Sequence, residues 1–264
     1  MSEPIYQQAN ALPPQAATGQ IPVEIAQQAN INALGPFVRA FRPTNIWVAM
    51  GITAGVLVLD IILNYLIYLA GYIVYYLWIV PILIIIYAVN AIRTNNHKAF
   101  LYQEGFIYTS GSQLNVIRWD RVEAVWMKIV RTSRYGSTRH TYTIKSPDGA
   151  QVVISSHLKK VKELGDVIMN EVTRRHLPLA RQAYASGVPV SFGDLSVSLQ
   201  GIGFRDKLLP WPEVKDVKLV NGSVQVKKQG SMLSWATVDV AKVSNLPILL
   251  QLVTDGLSAQ PQYS

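Results

Sequence analysis

Cysteines, histidines, paired acids and activated serines carry most covalent and metal chemistry, and this chain of 264 residues is short of all of them. It has no cysteine, which excludes disulfide frameworks, thiolate metal sites and thiol nucleophiles. The 4 histidines are His97, His140, His157 and His176, and no two stand at metal-ligand spacing with an acid nearby. They read as packed or surface histidines, with no metal and no cofactor expected. Ser110-Gly111-Ser112 and Gly201-Ile202-Gly203 are turn glycines outside any phosphate-binding context, and no G-x-S-x-G occurs. Asn221-Gly222-Ser223 matches a glycosylation sequon but is equally a tight hairpin turn. The expectation is a protein that is not an enzyme.

What remains is charge. The net charge is +8, and residues 93–177 hold most of the excess, with 14 basic residues against 7 acidic ones. Lys128, Arg131, Arg134 and Arg139 surround a loop at 132–138 with Tyr135-Gly136 at its tip, and Arg118 and Arg121 are close in sequence. Arginine forks match phosphate and carboxylate oxygens in pairs, so such a loop suits an anionic lipid head group. Nucleic acid is the weaker reading, because no recognised motif and little aromatic interleaving accompany the cations. Trp119, Trp126, Trp211 and Trp235 read as packing residues.

The elements that must position this loop begin with an apolar segment. Charged residues are 15% of the chain, against about 25% in an ordinary soluble protein, so an apolar stretch is expected somewhere. Ile46–Ile92 carries one acid, Asp60, and no basic residue. A spanning helix needs about 20 residues, so the segment is expected to form two spans, 46–69 and 73–92, turning near Ala70-Gly71. Arg39 and Arg42 precede it and Arg93 and Lys98 follow it, which orients both termini to the cytoplasm. Tyr65, Tyr68, Tyr72, Tyr75, Tyr76 and Trp78 cluster around the turn as an outer aromatic girdle, and Trp47 marks the inner face. Asp60 and Asn64 are one turn apart, and an intramembrane acid costs about 3 kcal/mol on insertion scales. It either serves ion or proton movement or, protonated, hydrogen-bonds a neighbouring helix. Gly51 and Gly55 form a small-residue step suited to close helix packing, and Pro81 is placed to kink the second span. Ahead of this, residues 1–38 are rich in Gln, Ala and Pro, with QQAN at 7–10 and 27–30, and read as a disordered tail without a signal peptide.

After Arg93 the pattern changes to alternation. Tyr142 and Ile144, then Asp148-Gly149, then Val152 and Ile154 predict one hairpin, and Leu219, Asn221-Gly222, Val224 and Val226 predict another. Leu195, Val197 and Leu199 alternate, as do Val238 and Val240. Leu158, Val161, Leu164, Ile168 and Val172 make a helical stripe, a second helical stretch runs from Pro178 to before Gly187, and a last helix runs from after Asn245 to Gly256. The two blocks share a pattern. Gly105, Trp119, Val122 and Val125 match Gly201, Trp211, Val214 and Val217 as Gly, an apolar pair, then Trp-x-x-Val-x-x-Val.

Those residues resemble the signature of bacterial PH-like and GRAM-like domains, and residues 98–257 are similar to an uncharacterised bacterial membrane-protein family with tandem modules of that kind. The resemblance implies a PH-like fold and a bacterial inner membrane location; it transfers no ligand.

The expected fold class is α + β: a two-helix transmembrane hairpin (46–92) followed by two small antiparallel-sheet-plus-helix modules. The modules are 98–177 and 188–257, with a helical linker at 178–187 and a tail at 258–264. The expected function is a membrane-anchored cytoplasmic binding or scaffold protein. Its first module would meet anionic lipid at Lys128, Arg131, Arg134 and Arg139, and its second would meet an unidentified protein partner or a second copy. The alternative is an oligomeric two-span transporter or channel subunit using Asp60.

Overall fold

The computed structural model describes residues 21–43, 46–71, 79–132 and 137–259. Among them the chain is α + β, with 5 α-helices and antiparallel strands in four sheets. It divides into two compact units, residues 1–116 with 157–159, and residues 117–156 with 160–264.

The first unit starts with α1 (Val23–Ile31), entered through Pro22. It lies in the stretch expected to be a disordered tail. Ile25 and Ala29 are one turn apart and both buried, in a cluster with Leu34, Phe100, Tyr102 and Ile107. The helix ends through Ala33 and Gly35, both at positive φ. Glu104 N then donates to Leu34 O at 2.9 Å and Gln103 N to Pro36 O at 3.1 Å, which fixes the segment that follows. β1 (Phe37–Phe41) pairs antiparallel with β2 (His97–Tyr102), with Phe41 opposite Ala99 and a bulge between Phe37 and Arg39. β3 (Gly105–Ser110) and β4 (Gln113–Arg118) complete a sheet of order β1-β2-β3-β4. Leu158 bridges Pro43, and Lys159 N donates to Arg42 O at 3.0 Å.

The apolar segment therefore emerges from the turn of a β-hairpin. It contains α2 (Ile46–Leu69) and α3 (Ile79–Asn95), which touch each other. Here the expected fold class is corrected. One described helix, at Met50–Leu69, is long and apolar enough to cross a membrane. The apolar part of α3, Ile79–Asn90, has 12 residues; at about 1.5 Å per residue it covers about 18 Å of a hydrocarbon core about 30 Å thick. Residues 72–78, with Tyr72, Tyr75, Tyr76 and Trp78, lie outside the described residues. A two-helix transmembrane hairpin followed by two modules is thus not the architecture. The strands form four sheets, the first recruits β1 from before the apolar segment, and the unit boundary at Val116 and Ile117 cuts the expected module 98–177.

The second unit holds three sheets and two helices. After a 3-10 turn at Trp119–Arg121 come β5 (Ala124–Thr132), β6 (Ser137–Lys145) and β7 (Gln151–Ile154), in that order in one sheet. α4 (Val161–Ala185) is one continuous helix, where two helical pieces were expected on either side of Pro178. Its buried face ends at Val172, and Pro178 lies on the more exposed remainder, where a proline costs one backbone hydrogen bond but breaks no core packing. β8 (Val190–Ser191), β9 (Leu195–Ser198), β10 (Gly201–Phe204) and β11 (Lys207–Pro210) form a second sheet. A 3-10 turn at Trp211–Glu213 leads to β12 (Val214–Val220), β13 (Ser223–Lys228) and β14 (Ser234–Asp239), and then α5 (Leu246–Ser258). Asn245 ties α5 back to β5. Its N–H donates to Val125 O at 2.8 Å, and its Oδ1 accepts from Val125 N at 3.0 Å. Arg181 on α4 makes a two-point ion pair with Asp255 on α5, at 2.8 and 3.2 Å.

Candidate functional site

Two features outlast the packing account: the bare apolar helix and a basic ribbon. On α2 the side chains of Ile52, Leu59, Ile61, Leu66, Tyr68 and Leu69 are all more than half exposed. Only 6% of the Met50–Leu69 stretch is buried within the chain. Asp60 departs from this, at 8% exposure between the exposed Leu59 and Ile61. Asn64, one turn later, donates its Nδ2 to the Asp60 backbone carbonyl at 2.9 Å. The pair is therefore adjacent, but that hydrogen bond spares the carboxylate. A Cβ added to Gly51 or Gly55 would meet nothing within 4 Å, so this small-residue step makes no close helix contact among the described residues.

The ribbon comes from unequal strand lengths. β6 pairs with β7 only from Tyr142 to Lys145, whereas β5 and β6 stay paired from Ala124 opposite Lys145 out to Thr132 opposite Ser137. Five pairs therefore run past the third strand, from Lys128 opposite Thr141 to the end. The register puts Lys128, Val130 and Arg139 on one face, since Val130 stands opposite Arg139 and Lys128 two positions away. Ile129, Val130, Lys128 and Arg139 are exposed. Arg131 is opposite Thr138, at the far end of the ribbon, and Arg134 lies outside the described residues. Neither Lys128 nor Arg139 makes an ion pair among the described residues. Arg118 is different: it grips Asp120 at 2.9 and 3.0 Å, and that hydrogen bond holds the Asp120 carboxyl below its ordinary value.

The signature residues have structural posts. Gly105 and Gly201 each open the second strand of a tight hairpin. Trp119 and Trp211 each open a 3-10 turn closed by the N–H of Val122 and Val214 onto the Trp carbonyl. Both tryptophans, Val122, Val125 and Val214 are buried, and Val217 is half-buried. The Trp211 indole donates to Ser198 O at 2.9 Å.

Among the histidines the structure brings one pair together that sequence spacing did not indicate. His97 stacks on His157 with ring centroids 5.2 Å apart, and its Nδ1 shares a 2.8 Å hydrogen bond with the Tyr108 hydroxyl. Burial, then the charge of His157, pushes the His97 pKa down. No cluster of three or more metal-ligating side chains occurs among the described residues.

A family model described as a family of unknown function (DUF6585) matches residues 1–262, so the chain belongs to that family. No curated protein matches it.

Proposed function

Since membership of that family brings no activity with it, we propose from the geometry that the chain is a membrane-anchored binding protein. The observation that carries this reading is the exposure of Met50–Leu69. A 20-residue apolar helix is about 30 Å long, the thickness of a hydrocarbon core. Apolar surface left in water costs about 25 cal/mol per Å², and a continuous patch on all but the one partly covered face of a helix needs an apolar phase to cover it. A helix of a soluble core would find that phase inside its own chain. This one does not.

The apolar segment would thus sit in the bilayer. The β5–β6 ribbon would then meet anionic head groups through Lys128 and Arg139, which share a face, with Arg131 at the alternate register position at its far end and Arg134 in the loop that follows, each basic residue being worth about 1 kcal/mol near such a surface. Exposed sheet edges remain for a protein partner or a second copy.

The test must keep β1, because removing everything before β2 would strip its partner strand. Replacing residues 44–95 with a short Gly-Asn turn converts β1 and β2 into a plain hairpin. This shortened chain should float with vesicles of phosphatidylcholine and phosphatidylglycerol at low salt and detach as salt rises. R131A/R134A/R139A should weaken that flotation by about a hundredfold, from three lost contacts of about 1 kcal/mol each. Equal binding to neutral vesicles, or indifference to salt, would remove the ribbon from the account.

A further inference from the structure

Among the described residues, the turn between β13 and β14 carries the most exposed apolar side chains outside the anchor: Met232 is 102% exposed and Leu233 79%. The turn that presents them is ordered. Gln229 N donates to Glu213 O at 2.7 Å and Ser231 N to Lys228 O at 3.3 Å. Ser231 Oγ accepts from Leu233 N at 3.2 Å and donates to Leu233 O at 3.0 Å. Gly230, at φ 69, makes the backbone reversal that a side chain would strain.

Beside and behind the tip lie cationic and aromatic side chains. Trp235 and Phe204 are half-buried and meet edge-on, with centroids 6.2 Å apart. Arg205 lies over the Phe204 ring at 5.1 Å, with Asp194 at the 4.0 Å limit of an ion pair. Lys227 stands opposite Ser234 at the base of the turn, and Lys228 beside it is paired with Glu213. An aliphatic tip flanked by lysine and backed by an aromatic pair and an arginine combines the residue types that favour hydrocarbon, interface and phosphate in a bilayer.

We propose that Met232 and Leu233 form a wedge that inserts into the bilayer to which the chain is anchored, with Trp235 at the interface and Arg205 and Lys227 toward anionic phosphates. The proposal rests on the membrane reading above. A protein partner fits less well, because a stable interface needs about 800 Å² per side, and a convex tip of two side chains supplies a small part of that. The positive net charge of +8 favours an anionic leaflet as the occupant.

The absence of cysteine allows a unique probe. M232C and, separately, V58C in the full chain are labelled with an environment-sensitive fluorophore and reconstituted in phosphatidylcholine–phosphatidylglycerol vesicles, with and without brominated acyl chains. Replacing Met232 removes no packing. The proposal expects the probe at 232 to be quenched by acyl-chain bromine and shielded from aqueous iodide. A probe at 232 open to iodide and untouched by bromine overturns it. A probe shielded from both also overturns it and assigns the tip to a protein neighbour or a second copy. The V58C probe separates the two readings: quenching there without quenching at 232 leaves the anchor and removes the wedge, whereas no bromine quenching at 58 removes the anchor itself.

Discussion

Two helices of this chain are short of polar residues, and they are treated in opposite ways. α5 puts Leu246, Ile248, Leu249, Leu252 and Val253 into the core of the second unit and lays Gly256 against the indole of Trp211. α2 is more apolar and keeps nearly all of its side chains outside any core. The difference teaches that apolar composition fixes only the need for an apolar neighbour. α5 finds that neighbour in sheets of its own unit; among the described residues only 6% of Met50–Leu69 does.

The largest effect that sharpens this contrast comes from truncating one leucine in each helix. Leu252 is 0% exposed, and L252A should cost about 2–5 kcal/mol in chemical unfolding, through lost burial and the cavity left behind. L59A, at an exposed position, should change the same transition by less than about 0.5 kcal/mol. Equal losses would mean that α2 packs in a core of its own chain. A smaller effect is expected at the α5 glycine. A Cβ on Gly256 would overlap the Trp211 ring, so G256A should cost about 1–3 kcal/mol by overpacking, whereas G55A, which meets open space, should not lower the unfolding midpoint.

The smallest effect concerns α4, which repeats the device with Gly165 against Tyr142. The Tyr142 hydroxyl is buried and has no hydrogen-bond partner among the described residues. Burial first, and the charge of Asp166 second, push its pKa up to about 12. A raised phenol pKa means that the folded state holds its proton longer than the unfolded state. Stability is therefore whole below pH 10.0 and declines as pH rises toward about 12. Y142F removes that contribution, so the variant should lose less stability than the parent between these two pH values. Identical alkaline profiles would show that Tyr142 does not contribute to the decline.

Much of the strand pattern was legible because alternation and turn chemistry are local. Asp148-Gly149 and Asn221-Gly222 sit at the turns they predict, and the last helix starts directly after Asn245. Long-range pairing was not legible. α1 and β1 fall in a stretch whose Gln, Ala and Pro content suggests disorder, and only Ile25 and Ala29 at helical spacing, with Phe37 and Phe41 around them, signal a core. Phe41 finds its partner Ala99 across the whole apolar segment, and no local rule reaches that far. The basic cluster illustrates the same limit. Its composition is visible in sequence, but the projection of the ribbon depends on β7 stopping at Ile154. Met232 and Leu233, two apolar residues in a turn, look like ordinary strand ends in the sequence, and only their exposure sets them apart.

The central claim is that Met50–Leu69 lies in hydrocarbon. Single cysteines placed from Ile52 to Leu66 in this cysteine-free chain can be challenged, in intact vesicles, with a membrane-impermeant maleimide. The account predicts that all remain unreactive until detergent is added. Ready labelling of these positions in sealed vesicles would contradict it.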